Sequence, residues 1–88
     1  MPYITQRQRQ ELDPAISTLV ELLKEASVET LDGELNYTIT RLAKALYPPK
    51  YFNYNRIMGV LNCVTHELYR TQIGPYEELK RLSEGDVS

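Results

Sequence analysis

Tryptophan is absent from this sequence, phenylalanine, cysteine and histidine occur once each, and no apolar run approaches the roughly 20 residues a bilayer span needs. Each shortage excludes something. A single cysteine, Cys63, cannot close an intramolecular disulfide, so no covalent staple supplements the core. One histidine and no paired catalytic acids leave little acid-base machinery, which argues against an enzyme. No Gly-rich phosphate loop, HExxH or GxSxG pattern occurs, and neither a cofactor nor a metal is expected. The opening MPYITQRQRQ has no apolar stretch of the signal-peptide kind, so a cytoplasmic protein with no membrane partner is expected. Four glycines and no low-complexity tract leave no room for a linker, and no internal repeat is found. The 88 residues therefore read as a single helical domain, residues 1–88, with frayed ends at about 1–4 and 84–88. A net charge of −2 argues against non-specific nucleic-acid binding, which uses a basic patch or stripe.

What is present points to helices. The chain is 42% hydrophobic and 25% charged, within the range of soluble folded proteins. A chain this short buries only about 60 to 65% of the surface its unfolded form exposes, so its core is thin and association with itself is the usual remedy. Asp13-Pro14 reads as a helix start, followed by a stripe through Ile16, Leu19, Val20, Leu23 and Ala26. Thr5 and Gln8 have capping-box spacing and allow a short earlier turn. Asp32-Gly33-Glu34 reads as the next start, with Leu35, Ile39, Leu42 and Leu46 as its apolar line. Pro48-Pro49 ends that helix, because the residue before a proline is pushed out of the α region.

A third helix is expected from Asn53 to about Arg70, with a seam of Ile57, Leu61, Val64 and Leu68. Gly74-Pro75 reads as another break before a short last helix. The expected fold class is thus all-α, a small helical bundle of three main helices, about 14–26, 33–47 and 53–71, plus a short C-terminal helix at about 75–83. The second and third helices are expected to pair as an antiparallel hairpin.

The polar residues left over carry the functional argument. Seven tyrosines combine apolar rings with polar tips and favour interfaces or half-polar pockets. Arg41, Arg56 and Arg70 present guanidinium forks suited to carboxylates or phosphates; pairing with Glu34, Glu67 and Glu77 is the structural alternative. Asn36 lies inside a helix, where asparagine is unfavourable unless a network or ligand uses it. Arg56, Gly59, Cys63, Glu67 and Arg70 share one helix stripe and describe a groove with a small centre and charged ends. Cys63 with His66 would be a nucleophile pair only with an oxyanion site beside it; a buried packing role for Cys63 is the simpler reading.

The stretches DGELNYTITR (32–41) and YNRIMGVL (54–61), with the MPYI opening, resemble a family of small uncharacterised proteins of bacteriophages and prophages. The resemblance spans nearly the whole chain and brings no catalytic residue, cofactor or substrate. It implies a context of accessory or counter-defence factors that act by binding. The expected function is therefore a non-enzymatic, homo-oligomeric binding protein. Asn36, Tyr37, Thr40, Arg41, Tyr54, Asn55, Arg56 and Arg70 would hold a small anionic ligand such as a nucleotide signal. A module that docks on a host protein is the alternative, and a small hydrolase the least favoured.

Overall fold

The computed structural model describes residues 4–85, and every element in it is helical: α1, Gln6–Leu23; α2, Val28–Leu46; α3, Tyr51–Leu68; a π turn, Tyr69–Ile73; and α4, Gly74–Glu84. The all-α class is as expected. No strand occurs among the described residues, and none of their helices is long and apolar enough to cross a membrane. The fraying expected at 1–3 and 86–88 lies outside the described residues. At the C-terminal end Glu84 is still helical, and Gly85 follows at φ 93, a conformation glycine adopts without Cβ strain.

The three main helices start earlier than the sequence reading placed them, and the first ends at Leu23, short of the expected 26. The first helix starts at Gln6, eight residues before Pro14, because the capping box closes in both directions. The Gln8 amide donates to Thr5 Oγ1 at 3.1 Å and the Thr5 amide donates to Gln8 Oε1 at 2.8 Å. Residues 6–12 are mostly strong helix formers, and an Arg7–Glu11 pair at 3.2 Å spans one turn. Pro14 consequently lies inside the helix, leaving the carbonyl of exposed Gln10 without an α-helical donor.

The second helix starts at Val28 behind Ser27, so Asp32-Gly33-Glu34 is helix interior and not a cap. Ser27 Oγ pairs with Thr30 Oγ1 at 3.1 Å, and the Ser27 carbonyl accepts from the amides of Thr30 and Leu31. The third helix begins at Tyr51, two residues early. The double proline does end α2: Tyr47 is extended at φ −120 and ψ 115.

The expected break at Gly74-Pro75 is not a break. Backbone from α3 through the π turn to α4 stays helical, giving one 34-residue segment from Tyr51 to Glu84. Proline has no amide to donate to the carbonyl four residues back, and its ring crowds that carbonyl. The chain answers by widening one turn, in which the Gly74 amide donates to the Tyr69 carbonyl five residues earlier. Glycine suits this position: a Cβ on Gly74 would lie 3.1 Å from that same oxygen.

The chain divides at Pro48-Pro49 into two units. In the first, α1 and α2 touch and are joined by the short turn 24–27. The second is the 34-residue helix. No hydrophobic side chain among the described residues is buried in either. The apolar lines expected to form a core, Leu35 to Leu46 and Val64 to Leu68 among them, stand exposed, with Leu19, Leu23, Ile57 and Leu61 half-covered.

Candidate functional site

The eight candidate binding residues fall into two groups, four in each unit. On α2, Asn36, Tyr37 and Thr40 line a shallow, solvent-open depression of about 470 Å³ together with Asp32 and Gly33. Spacings of three and four residues bring them to one side of the helix, as the sequence pattern required. Thr40 Oγ1 donates to Asn36 Oδ1 at 3.4 Å, so the interior asparagine is met within its own helix. Arg41 Nη1 donates to the Tyr37 hydroxyl at 3.0 Å, with the guanidinium carbon 5.9 Å from the ring centroid. Among the described residues Arg41 pairs with none of the three glutamates weighed for the arginines; its contacts are with the Tyr37 hydroxyl and ring. The charge of the patch is mixed, because Asp32 stands on the same depression.

On the long helix, Tyr54, Asn55 and Arg56 occupy the first turns and Arg70 lies in the π turn. Fourteen residues of helix separate the two arginines, about 21 Å at 1.5 Å per residue. They mark the two ends of the expected groove and are not brought to one point within the chain. Arg56 Nη1 donates to Asn53 Oδ1 at 3.2 Å and its guanidinium lies over Phe52 at 5.8 Å. Arg70 Nη2 donates to Glu67 Oε2 at 2.9 Å, the structural pairing the sequence offered. At the centre of the stripe, Gly59 has open space where a side chain would be, and Cys63 is exposed. Cys63 is therefore not the buried packing residue expected, since nothing in its own helix can cover it.

Two interactions escaped sequence reasoning. Asn53 is the most enclosed of the described residues, 8% exposed, and holds Arg56; the assumed helix start made it only a cap, although Asn at i and Arg at i+3 was the available signal. Tyr69 donates its hydroxyl to Glu77 Oε1 at 2.6 Å across eight residues. That hydrogen bond to a carboxylate, with the negative charge beside it, raises the Tyr69 pKa above the ordinary tyrosine value. One turn on, Arg81 Nη2 donates to Glu78 Oε1 at 2.6 Å and lowers the Glu78 pKa.

A family described as a domain of unknown function, DUF6899, matches residues 1–87. The chain belongs to this family. No curated protein and no solved structure matches it. The DUF6899 description carries no activity, so function is argued from the exposed surfaces themselves.

Proposed function

We propose that this DUF6899 protein is a non-enzymatic binding protein that works as a homo-oligomer. One observation carries the reading: the amphipathic helices are laid out in full, yet no hydrophobic side chain among the described residues is buried. Apolar burial is the main favourable term in folding, and a lone helix or helix pair cannot supply enough of it. Copies of the chain supply the missing layer. Sedimentation velocity over a micromolar concentration series tests this, with an integral multiple of 10.2 kDa expected. A 10.2 kDa species throughout, with full helical circular dichroism, overturns it.

The ligand of such an oligomer is a small anion, in our reading a nucleotide signal. Arg41 favours this, because its charge is met only by a tyrosine hydroxyl and ring. Exposed in-helix contacts of that kind are worth on the order of a few tenths of a kcal/mol, so a phosphate can replace them at small cost. Assembly would bring arginines of different copies together, which the 21 Å spacing of Arg56 and Arg70 forbids within one chain, at about 1.5 Å per residue. On the phage resemblance the biological role is counter-defence, by capture of an immune signal. Calorimetry against cyclic and linear nucleotides tests the ligand; uniform absence of heat sinks it. The exposed line Leu35, Ile39, Leu42 and Leu46 favours the second reading, a host protein docked on α2, which a stoichiometric pull-down would support.

A further inference from the structure

Gly33 is a glycine that the fold does not ask for. It lies inside α2 with a negative, helical φ, and nothing stands within 4 Å of where its Cβ would be. Alanine would hold the helix better, so neither backbone geometry nor packing calls for glycine here. What the missing side chain leaves is room beside an aromatic ring. Tyr37, one turn on and 62% exposed, lines the depression of about 470 Å³ with Gly33, and the same two residues line a neighbouring depression of about 450 Å³. Long side chains on a helix lean toward the turn before them, which for Tyr37 is the turn that holds Gly33. A flat ring laid against another needs about 3.5–4.0 Å between carbon atoms, and the bare backbone leaves that much.

The edge of this slot carries a defined set of hydrogen-bonding groups. Asp32 and Asn36 are one turn apart and line the same depression. Asn36 Oδ1 accepts from Thr40 at 3.4 Å, so its amide nitrogen remains to donate, and Asp32 has no partner among the described residues. An ionised aspartate only accepts, through two oxygens. The edge thus offers one donor followed by two acceptors. Guanine presents the complement, the O6 acceptor followed by the N1–H and N2–H₂ donors. Adenine and cytosine set one amino donor beside acceptors, and uracil sets one donor between two acceptors.

We propose that the depression on α2 is a slot for a guanine base. The ring stacks on Tyr37 over the bare backbone of Gly33, Asp32 accepts from N1–H and N2–H₂, the Asn36 amide donates to O6, and the phosphate lies on Arg41. The inference deepens the nucleotide reading above and rests on it. Arg41 is placed for its part, because its guanidinium is held 3.0 Å from the Tyr37 hydroxyl, beside the ring that stacks the base. The slot also stays open in an assembly. Gly33 and Tyr37 stand two residues either side of Leu35, each about 160° round the helix from it, so copies that cover the line Leu35, Ile39, Leu42 and Leu46 leave it accessible.

Calorimetry with cyclic and linear nucleotides of guanine, hypoxanthine, adenine and uracil, and with ribose phosphate, tests the base. Guanine nucleotides should bind at least about tenfold more tightly than their hypoxanthine counterparts, which lack only the N2 amine, and Asp32→Asn should erase that difference. Gly33→Ala should raise Tm and yet weaken the guanine nucleotide at least about tenfold, whereas Gly59→Ala, with the same open space on α3, should raise Tm and leave binding unchanged. Binding without preference for guanine, equal binding of ribose phosphate, or a Gly33→Ala chain that binds as the parent does overturns the inference and leaves the small-anion reading intact. Absence of heat with every nucleotide overturns the nucleotide reading itself.

Discussion

Three helical glycines with different surroundings allow the local energetics to be tested without touching the candidate binding residues. Gly33 in α2 and Gly59 in α3 have nothing within 4 Å of where a Cβ would stand, and both have negative, helical φ. Glycine in a helix interior is about 1 kcal/mol less favourable than alanine, through backbone entropy in the unfolded chain. Gly33→Ala and Gly59→Ala are therefore each expected to stabilise by about 1 kcal/mol, which raises Tm by roughly 4–8 °C in a domain of this size. Gly74 differs. Its Cβ would sit 3.1 Å from the Tyr69 carbonyl oxygen, which already accepts the Gly74 amide, so the wide turn must open by a few tenths of an ångström.

Gly74→Ala is expected to forfeit the whole propensity gain and to be neutral or destabilising. The assay is thermal unfolding by circular dichroism at one protomer concentration, since association makes Tm concentration-dependent. A Gly74→Ala gain equal to that of Gly33→Ala would refute the π-turn argument. A loss at Gly59 would refute the open-space reading and revive the expectation that another backbone approaches there.

Other outcomes follow from single contacts. Thr5→Ala removes one half of the capping box and should cost about 1 kcal/mol, visible as faster amide exchange confined to the first turns of α1. Because the Tyr69 pKa is raised in the folded protein, its hydrogen bond contributes stability in full below pH 10 and loses it as pH rises through the folded value; Tyr69→Phe should flatten that alkaline limb in denaturant titrations. The Glu78 pKa is lowered, so its contribution is present above pH 4.5 and is lost as pH falls through the folded value; Glu78→Gln should flatten the acid limb. Arg41→Ala should abolish nucleotide heat in calorimetry while leaving sedimentation unchanged, and retained heat would remove Arg41 from the site.

The all-α class was legible because apolar periodicity is a property of each stretch by itself: the lines Ile16 to Leu23, Leu35 to Leu46 and Ile57 to Leu68 all fall on helices, and only Ala26 of the expected first line lies beyond its helix. Helix starts were less legible because several residues offered equivalent signals. Asp13-Pro14 and Thr5-x-x-Gln8 are both good starts, and the reciprocal cap with helix-forming residues behind it prevailed over the proline's local cost. Asp32-Gly33 lost to Ser27 for a similar reason, since Ser27 leads a run with no breaker before Gly33. The partners of the arginines were legible only where sequence neighbours supplied them, as Glu67 does for Arg70.

Gly74-Pro75 is the instructive failure, because the same dipeptide that reads as a stop is here an adjustment of phase. Proline removes an α-helical hydrogen bond, and glycine tolerates the close carbonyl that a wider turn requires, so together they absorb one residue without ending the helix. The apolar spacing carries the matching signature. Leu68 to Ile73 is one residue too long for an α-helical seam, and the π turn removes that residue. Without the turn Ile73 and Tyr76 would rotate off the Leu61 to Leu68 line; with it they join the line, and Leu79 and Leu82 rotate away from it at about 100° per residue. A five-residue gap in an otherwise three-four apolar pattern, followed by Gly-Pro, is thus better read as a helix that continues with a shift of phase than as the end of a helix.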